Sequence, residues 1–144
     1  MKGYLYSRTV NYYETDQMGI VHHSNYIRWM EEARLSLMEE LSLSYAEMER
    51  QGLLIPVLSV SCEYRLPFRY GESFQIQLFP LHFNGIKLSL GYRIYDADGR
   101  LHTTGESSHC FADSSMCPRS LKKSYPHIYE ILQEWVLANQ EDNV

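Results

Sequence analysis

The sequence predicts an α+β fold: a five-stranded antiparallel sheet, one long helix against a face of it, and a further helix at the C-terminal end. Three observations predict it. Tyr26, Met30, Ala33, Leu37 and Leu41 recur three or four residues apart, the spacing of one helix face. After Gly52 the apolar period falls to two, the spacing of strands. Asn84-Gly85 and Asp96-Ala97-Asp98-Gly99 interrupt that alternation with tight-turn residues, which send consecutive strands antiparallel.

Taken in order, residues 5–12 alternate and are rich in Tyr, Val and Thr, as a first strand requires. Residues 13–24 form a loop around Gly19. The long helix begins at about Asn25, and Ser24 or Asn25 is expected to cap it by accepting a hydrogen bond from the first free amides. Glu31, Glu32, Arg34, Glu39 and Glu40 fall mostly between its apolar positions, where solvated or interface salt-bridge roles are expected. A short helical piece over 44–51 stops at Gly52. Strands follow over 54–66, 73–82, 86–95 and 101–112, with Pro67 and Gly71 separating the first pair. Residues 114–125 read as irregular, and Ile128, Ile131, Leu132, Trp135 and Val136 give 127–139 one apolar helical face. The acidic last few residues are expected to fray.

The 144 residues fit a single domain, 1–144, and the 44% of hydrophobic residues suffice for a core without metal or disulfide staples. One long helix leaves the sheet edges and parts of the outer face open, so a homo-oligomer is expected. A formal net charge of -5 with no long basic run argues against nucleic acid, while allowing a local basic patch for a phosphorylated ligand. The segment Met1 to Tyr6 has no secretory pattern, and no apolar run is long enough to span a membrane. Cys62, Cys110 and Cys117 form no CxxC pair and are odd in number, which fits reduced thiols without a catalytic role in a cytoplasmic protein.

Chemistry concentrates in residues 13–26. Asp16 is a lone carboxylate just before a glycine turn, with a long helix starting at once behind it. The first amides of a helix lack partners within it and present its positive end. An acid held opposite them can attack, or activate water against, a carbonyl whose developing oxyanion those amides stabilise. His22 and His23 are adjacent, a placement that points two rings in different directions, and no further ligand sits at a recognisable spacing, so no metal is expected. His109, in a strand, is expected to be a packed side chain.

The run Asp16-Gln17-Met18-Gly19-Ile20-Val21-His22-His23-Ser24-Asn25-Tyr26, continuing to Arg28-Trp29-Met30-Glu31-Glu32-Ala33-Arg34, resembles hotdog-fold acyl-CoA thioesterases of the 4-hydroxybenzoyl-CoA thioesterase-like group. That group carries an Asp, a Gly three residues on, a Val, an aromatic or His pair, and Asn-Tyr opening the central helix. Residues 105–113 are similar to its last strand, and the resemblance spans about residues 5–125.

The resemblance implies a hotdog fold, the sheet curved around the central helix. It also implies a homodimer or homotetramer with active sites between subunits. The implied reaction is hydrolysis of an acyl thioester of coenzyme A or acyl carrier protein to a free acid and a thiol, with no cofactor beyond the coenzyme A of the substrate. By position in the motif Asp16 is the nucleophile or general base, the His23 amide polarises the carbonyl, and Gly19 lets the loop approach the ligand or simply turn. His22 and Asn25 are expected beside the substrate, Asn25 and Tyr26 also capping the helix and packing into the core. Family members often carry Tyr at position 22 or 23, a difference that spares a main-chain role. Lys87 and Arg119, ahead of Lys122 and Lys123, are the expected partners of the coenzyme A phosphates. A hotdog dehydratase or hydratase is the first alternative, disfavoured because its helix-borne His motif is missing; a non-catalytic acyl-binding protein is the second. Acyl specificity, carrier, the choice between nucleophile and base, and dimer against tetramer stay open at this level.

Overall fold

The computed structural model describes residues 2–141. The chain runs through strand β1 (Tyr4–Thr9), helix α1 (Ser24–Glu40), short helix α2 (Tyr45–Arg50) and strands β2 (Val57–Tyr64), β3 (Ser73–Phe83), β4 (Lys87–Asp96) and β5 (Leu101–Cys110), then the single turn α3 (Leu121–Ser124) and helix α4 (Pro126–Asn139). The first strand ends earlier than its alternation predicts, because Tyr12–Glu14 close into a 3-10 turn. The segment over 114–125 is less irregular than expected, since α3 occupies part of it. Of the acidic residues expected to fray, 142–144 lie outside the described residues, whereas Glu141 is held by Arg93 at 2.5 and 2.9 Å.

The strands form one antiparallel sheet in the order β1-β3-β4-β5-β2. β3, β4 and β5 are a meander through the two predicted tight turns. In the first, the Asn84 side-chain oxygen accepts the Ile86 and Lys87 amides at 2.9 and 2.7 Å. β2 is not next to β3 but pairs with β5 at the far edge, with Ser61 opposite Glu106 and Tyr64 opposite Thr103. The connecting residues 65–72 hold Pro67 and no two-residue hairpin turn, so the chain crosses the end of the sheet instead of folding back.

α1 lies against one face of this sheet, with Trp29, Met30 and Ala33 wholly buried. The Trp29 ring stacks on Phe74 with centroids 4.1 Å apart. Gly105 on β5 makes room for the helix, since a Cβ there would lie 2.9 Å from Met30 Sδ and 2.9 Å from the Ser61 carbonyl oxygen. At the far end of α1, Leu37 and Met38 share a small cavity with Leu132 and Trp135 of α4, so both helices cover the same region of the core.

Two side chains of α1 depart from their expected solvated roles. Arg34 is only 9% exposed. Helical phase places it one turn after Met30, and it follows the apolar stripe inward despite its charge. Its Nη1 donates to the Tyr92 hydroxyl at 3.2 Å; that hydroxyl lies 2.6 Å from Ser107 Oγ, which lies 2.8 Å from His109 Nε2. Glu32 spends its carboxylate within the chain, accepting from Arg8 Nη1 at 2.7 Å and from the Tyr6 hydroxyl at 2.8 Å. Glu31 is exposed, as expected. His109 is packed as predicted, and burial, with the Arg34 charge beside it, lowers its pKa to about 4.

Glu14 joins β1, the 3-10 turn and α1. It is 4% exposed. Its Oε1 accepts from Arg8 Nη2 at 2.6 Å and from the Asn11 amide at 2.8 Å, and its Oε2 accepts from the Trp29 indole at 2.7 Å. A buried carboxylate with three donors, one of them cationic, is compensated for its lost hydration. The Glu14 carbonyl oxygen in turn accepts the His22 amide and the Asn25 side-chain amide, each at 2.9 Å.

Glu14→Gln keeps the volume but turns one acceptor into a donor facing other donors, so unfolding in urea should show a loss of about 1–3 kcal/mol with an unchanged m-value. The pH dependence of stability follows from His109. An unfolded histidine titrates near 6.5, and His109 titrates at about 4 when folded. Between those values the unfolded chain binds the extra proton, so this contribution is complete above about pH 6.5 and is lost as pH falls toward 4. In thermal unfolding across that window, His109→Gln should lose less Tm than the parent.

Candidate active site

The loop carrying Asp16 is a small hairpin. Thr15 pairs with Val21, the Asp16 amide donates to the Ile20 carbonyl at 2.8 Å, and the Gly19 amide donates to the Asp16 carbonyl at 3.0 Å. A three-residue loop of this kind needs a left-handed residue in third place, and Gly19 supplies it with φ +77°. A Cβ on Gly19 would meet nothing nearer than Arg69 Nη1 at 3.8 Å, so within the chain the turn, and not a close approach, demands glycine. Ile20 pairs with Arg69 and the Val21 amide donates to the Phe68 carbonyl at 2.9 Å, which fastens the hairpin to the 65–72 crossing.

Asp16 is half-buried and lines a cleft of about 430 Å³ with Ile20, His23, Tyr26 and Tyr64. Its Oδ1 accepts the Met18 amide at 2.8 Å, which orients the carboxylate. Among the described residues Oδ2 accepts no hydrogen bond. The acid is therefore positioned by one oxygen and open at the other.

The start of α1 is capped differently from the prediction. Neither Ser24 nor Asn25 accepts a capping bond; His22 does. The Ser24 amide donates to His22 Nδ1 at 3.2 Å, the Asn25 amide to the His22 carbonyl at 3.0 Å, and the Tyr26 amide to the His23 carbonyl at 3.3 Å. The His22 amide is spent on Glu14. Of the amides from 22 to 26, only that of His23 has no acceptor among the described residues. The rings of His22 and His23 do not point apart as expected: they stack at 4.3 Å and 28°. His23 is already helical in its backbone, φ -57° and ψ -27°, and a helix turns successive side chains by only about 100°. Among the described residues no group of three metal-ligating side chains comes together.

The far wall of the cleft comes from the end of β2, which sequence reasoning did not single out. The Tyr64 hydroxyl donates to the His23 carbonyl at 3.3 Å, and burial with Cys62 beside it pushes its pKa up to about 12, so it stays a neutral donor. Burial also raises the Cys62 thiol, leaving it protonated and a poor nucleophile. Arg65 lines the same cleft and Arg69 lies over Gly19, two cations whose loop positions carry no periodic signal in the sequence.

The expected phosphate partners lie elsewhere in the chain. Lys87 is exposed and pairs with Cys110 at one end of β4 and β5, whereas Tyr64 at the cleft pairs with Thr103 near the other end. Thr103 and Cys110 are seven residues apart, about 24 Å along a strand. Arg119 is exposed beside Lys87's end of the sheet, its guanidinium on Asp113 at 2.8 and 2.7 Å and its amide on the Phe111 carbonyl. Lys122 lies over the Tyr129 ring, and Lys123 is exposed. One copy of the chain thus brings together Asp16, Gly19, His22, His23 and Asn25, but not Lys87 and Arg119.

Comparison with known proteins agrees with this architecture. The family profile of the thioesterase-like superfamily matches residues 10–136. The acyl-CoA thioesterase candidate YneP of Bacillus subtilis (strain 168) is 41% identical over 118 residues, 81% of this chain and 86% of YneP. The acyl-CoA thioester hydrolase YbgC of Escherichia coli O157:H7 is 28% identical over 116 residues, 80% of this chain and 87% of YbgC. The crystal structure of a DHNA-CoA thioesterase from Staphylococcus aureus superposes with a TM-score of 0.89 at 28% identity, covering 98% of this chain and 95% of that one. The five-stranded sheet around α1 is the hotdog fold, and the chain belongs to the thioesterase-like superfamily.

Proposed function

We propose that this protein hydrolyses acyl-CoA thioesters, with Asp16 delivering the attack and the His23 amide stabilising the oxyanion. Membership of the thioesterase-like superfamily, together with relatives and a structural neighbour named as acyl-CoA thioesterases, supports an enzyme of thioester hydrolysis. One observation carries the assignment of residues: Asp16, whose carboxylate keeps one oxygen uncommitted, and His23, whose amide alone at the helix start has no acceptor among the described residues, line the same cleft. Asp16 Oδ2 either adds to the thioester carbon, giving an anhydride that water then opens, or takes a proton from water that adds instead. In both routes the carbonyl oxygen gains negative charge opposite the His23 N–H, the C–S bond breaks, the thiolate leaves and is protonated, and the acid remains. Tyr64, a neutral donor on the His23 carbonyl, holds the main chain there in place. No metal or cofactor takes part, coenzyme A entering only as a portion of the substrate.

The working unit is a closed homo-oligomer of single-domain chains. β2 is an edge strand with Val57 and Leu58 50% and 52% exposed, an apolar rim that a second copy would cover. Lys87 and Arg119, too far from Asp16 within a chain, would meet the coenzyme A phosphates at the cleft of a second copy, while Arg65 and Arg69 serve from the same copy. The three free thiols fit a reducing, cytoplasmic compartment.

A thiol-release assay over acyl-CoA and acyl-carrier-protein thioesters tests the reaction. Release from acyl-CoA is expected, with Asp16→Asn lowering kcat about 10²–10⁴-fold at unchanged fold and oligomer. Parent-rate turnover by Asp16→Asn would remove the acid from the mechanism; retention of acyl-CoA without thiol release would make the protein a binder. In sedimentation, Val57→Lys with Leu58→Lys should shift the protein toward monomer.

A further inference from the structure

The side chain of Asn25 is not among those lining the cleft with Asp16 and His23. It points back along the loop. Its Nδ2 donates to the Glu14 carbonyl at 2.9 Å and to the His22 carbonyl at 3.3 Å, and its own amide donates to the same His22 carbonyl at 3.0 Å. The His22 oxygen therefore accepts twice, both times from Asn25.

That oxygen belongs to the same planar unit as the His23 N–H. In a trans peptide the C=O and N–H point in opposite directions and cannot turn independently. Two bonds on the oxygen fix the plane of the His22–His23 peptide, and they polarise its N–H, since hydrogen bonds on one end of an amide strengthen the other. The anchor beneath is rigid, because the Glu14 residue that receives Asn25 Nδ2 is itself held by Arg8, Asn11 and Trp29.

We propose that Asn25 is a positioning residue for the thioesterase reaction: it clamps the His22–His23 peptide so that the His23 N–H is kept uncommitted, aimed and polarised for the oxyanion. This rests on the reading of Asp16 and His23 given above. Asn25 acts through the main chain of its neighbour and touches no reacting atom. A displacement of the donor by a fraction of an ångström lowers the rate without loosening the rest of the substrate.

The test uses Asn25→Ala and Asn25→Asp in the full chain. The second keeps the volume and deletes both Nδ2 donations. With an acyl-CoA that the parent hydrolyses, kcat should fall about 100-fold in each while KM stays within about threefold. A purely structural role would lower Tm without that split. The direct readout is the infrared carbonyl stretch of a bound acyl-CoA, measured in an Asp16→Asn background so that the thioester persists. The bound band should lie below its position in water, and adding Asn25→Ala should move it back toward that position. Parent-like kcat with an unmoved carbonyl band would overturn the proposal while leaving Asp16 in its role. Loss of far-UV circular dichroism by both variants would also overturn it, because Asn25 would then hold the fold and not the donor. Parent-rate turnover by Asp16→Asn alone would instead sink the underlying reading of the site.

Discussion

The buried carboxylate of Glu14 is the constraint on which the Asp16 loop and the start of α1 depend. It is tied to β1 through Arg8, to its own turn through Asn11 and to α1 through Trp29. Its main chain then passes in two directions. Two residues on, Asp16 begins the hairpin; across the loop, the Glu14 carbonyl holds His22 and Asn25. The acid and the helix start are therefore referred to one fixed point. A surface ion pair would not serve, since exposed pairs contribute about 0–1 kcal/mol and exchange partners freely.

Around that point the loop is economical with its hydrogen bonds. Buried or half-buried amides normally find an acceptor. Here His22 supplies two, its ring and its carbonyl, where a Ser or Asp cap would supply one side-chain oxygen. The ring takes the Ser24 amide, the carbonyl takes Asn25, and the His23 amide is left over. In the proposed mechanism that residual donor is the electrophile, and the Met18 bond to Asp16 leaves the carboxylate a matching open oxygen. The fold contributes by closing the cleft from the opposite edge of the sheet, where Tyr64 at the end of β2 reaches the helix start.

How far the sequence carried this reading differs from element to element. The β3-β4-β5 meander was legible because Asn84-Gly85 and Asp96 to Gly99 are local chemistry that no tertiary contact overrides. α1 was legible from its stripe, and the Asp16-to-Tyr26 motif was legible by resemblance. The place of β2 was not, because pairing with β5 across the sheet leaves no local mark when the connecting residues lack a hairpin turn. Residue type alone points Arg34 to solvent, but helical phase decides its place: Met30 and Leu37 mark that face as buried. Glu14 went unnoticed among exposed tyrosines, since nothing about a single acid tells that Arg8 and an indole will converge on it. The swap of capping roles between His22 and Ser24 depends on a ring orientation that spacing does not encode.

A donor that belongs to the backbone has a consequence for how such a protein tolerates change. In the proposed mechanism the oxyanion donor is the His23 N–H; every residue except proline offers the same group, so replacing the imidazole at position 23 would leave that donor chemically intact. If the two proposals hold, scanning mutagenesis would find little at position 23 and much at positions 14 and 25, one holding the frame and the other the plane. On that mechanism the polarising group is hidden from genetics by belonging to the main chain, and the loop would be free to vary its surface there while keeping its reactivity.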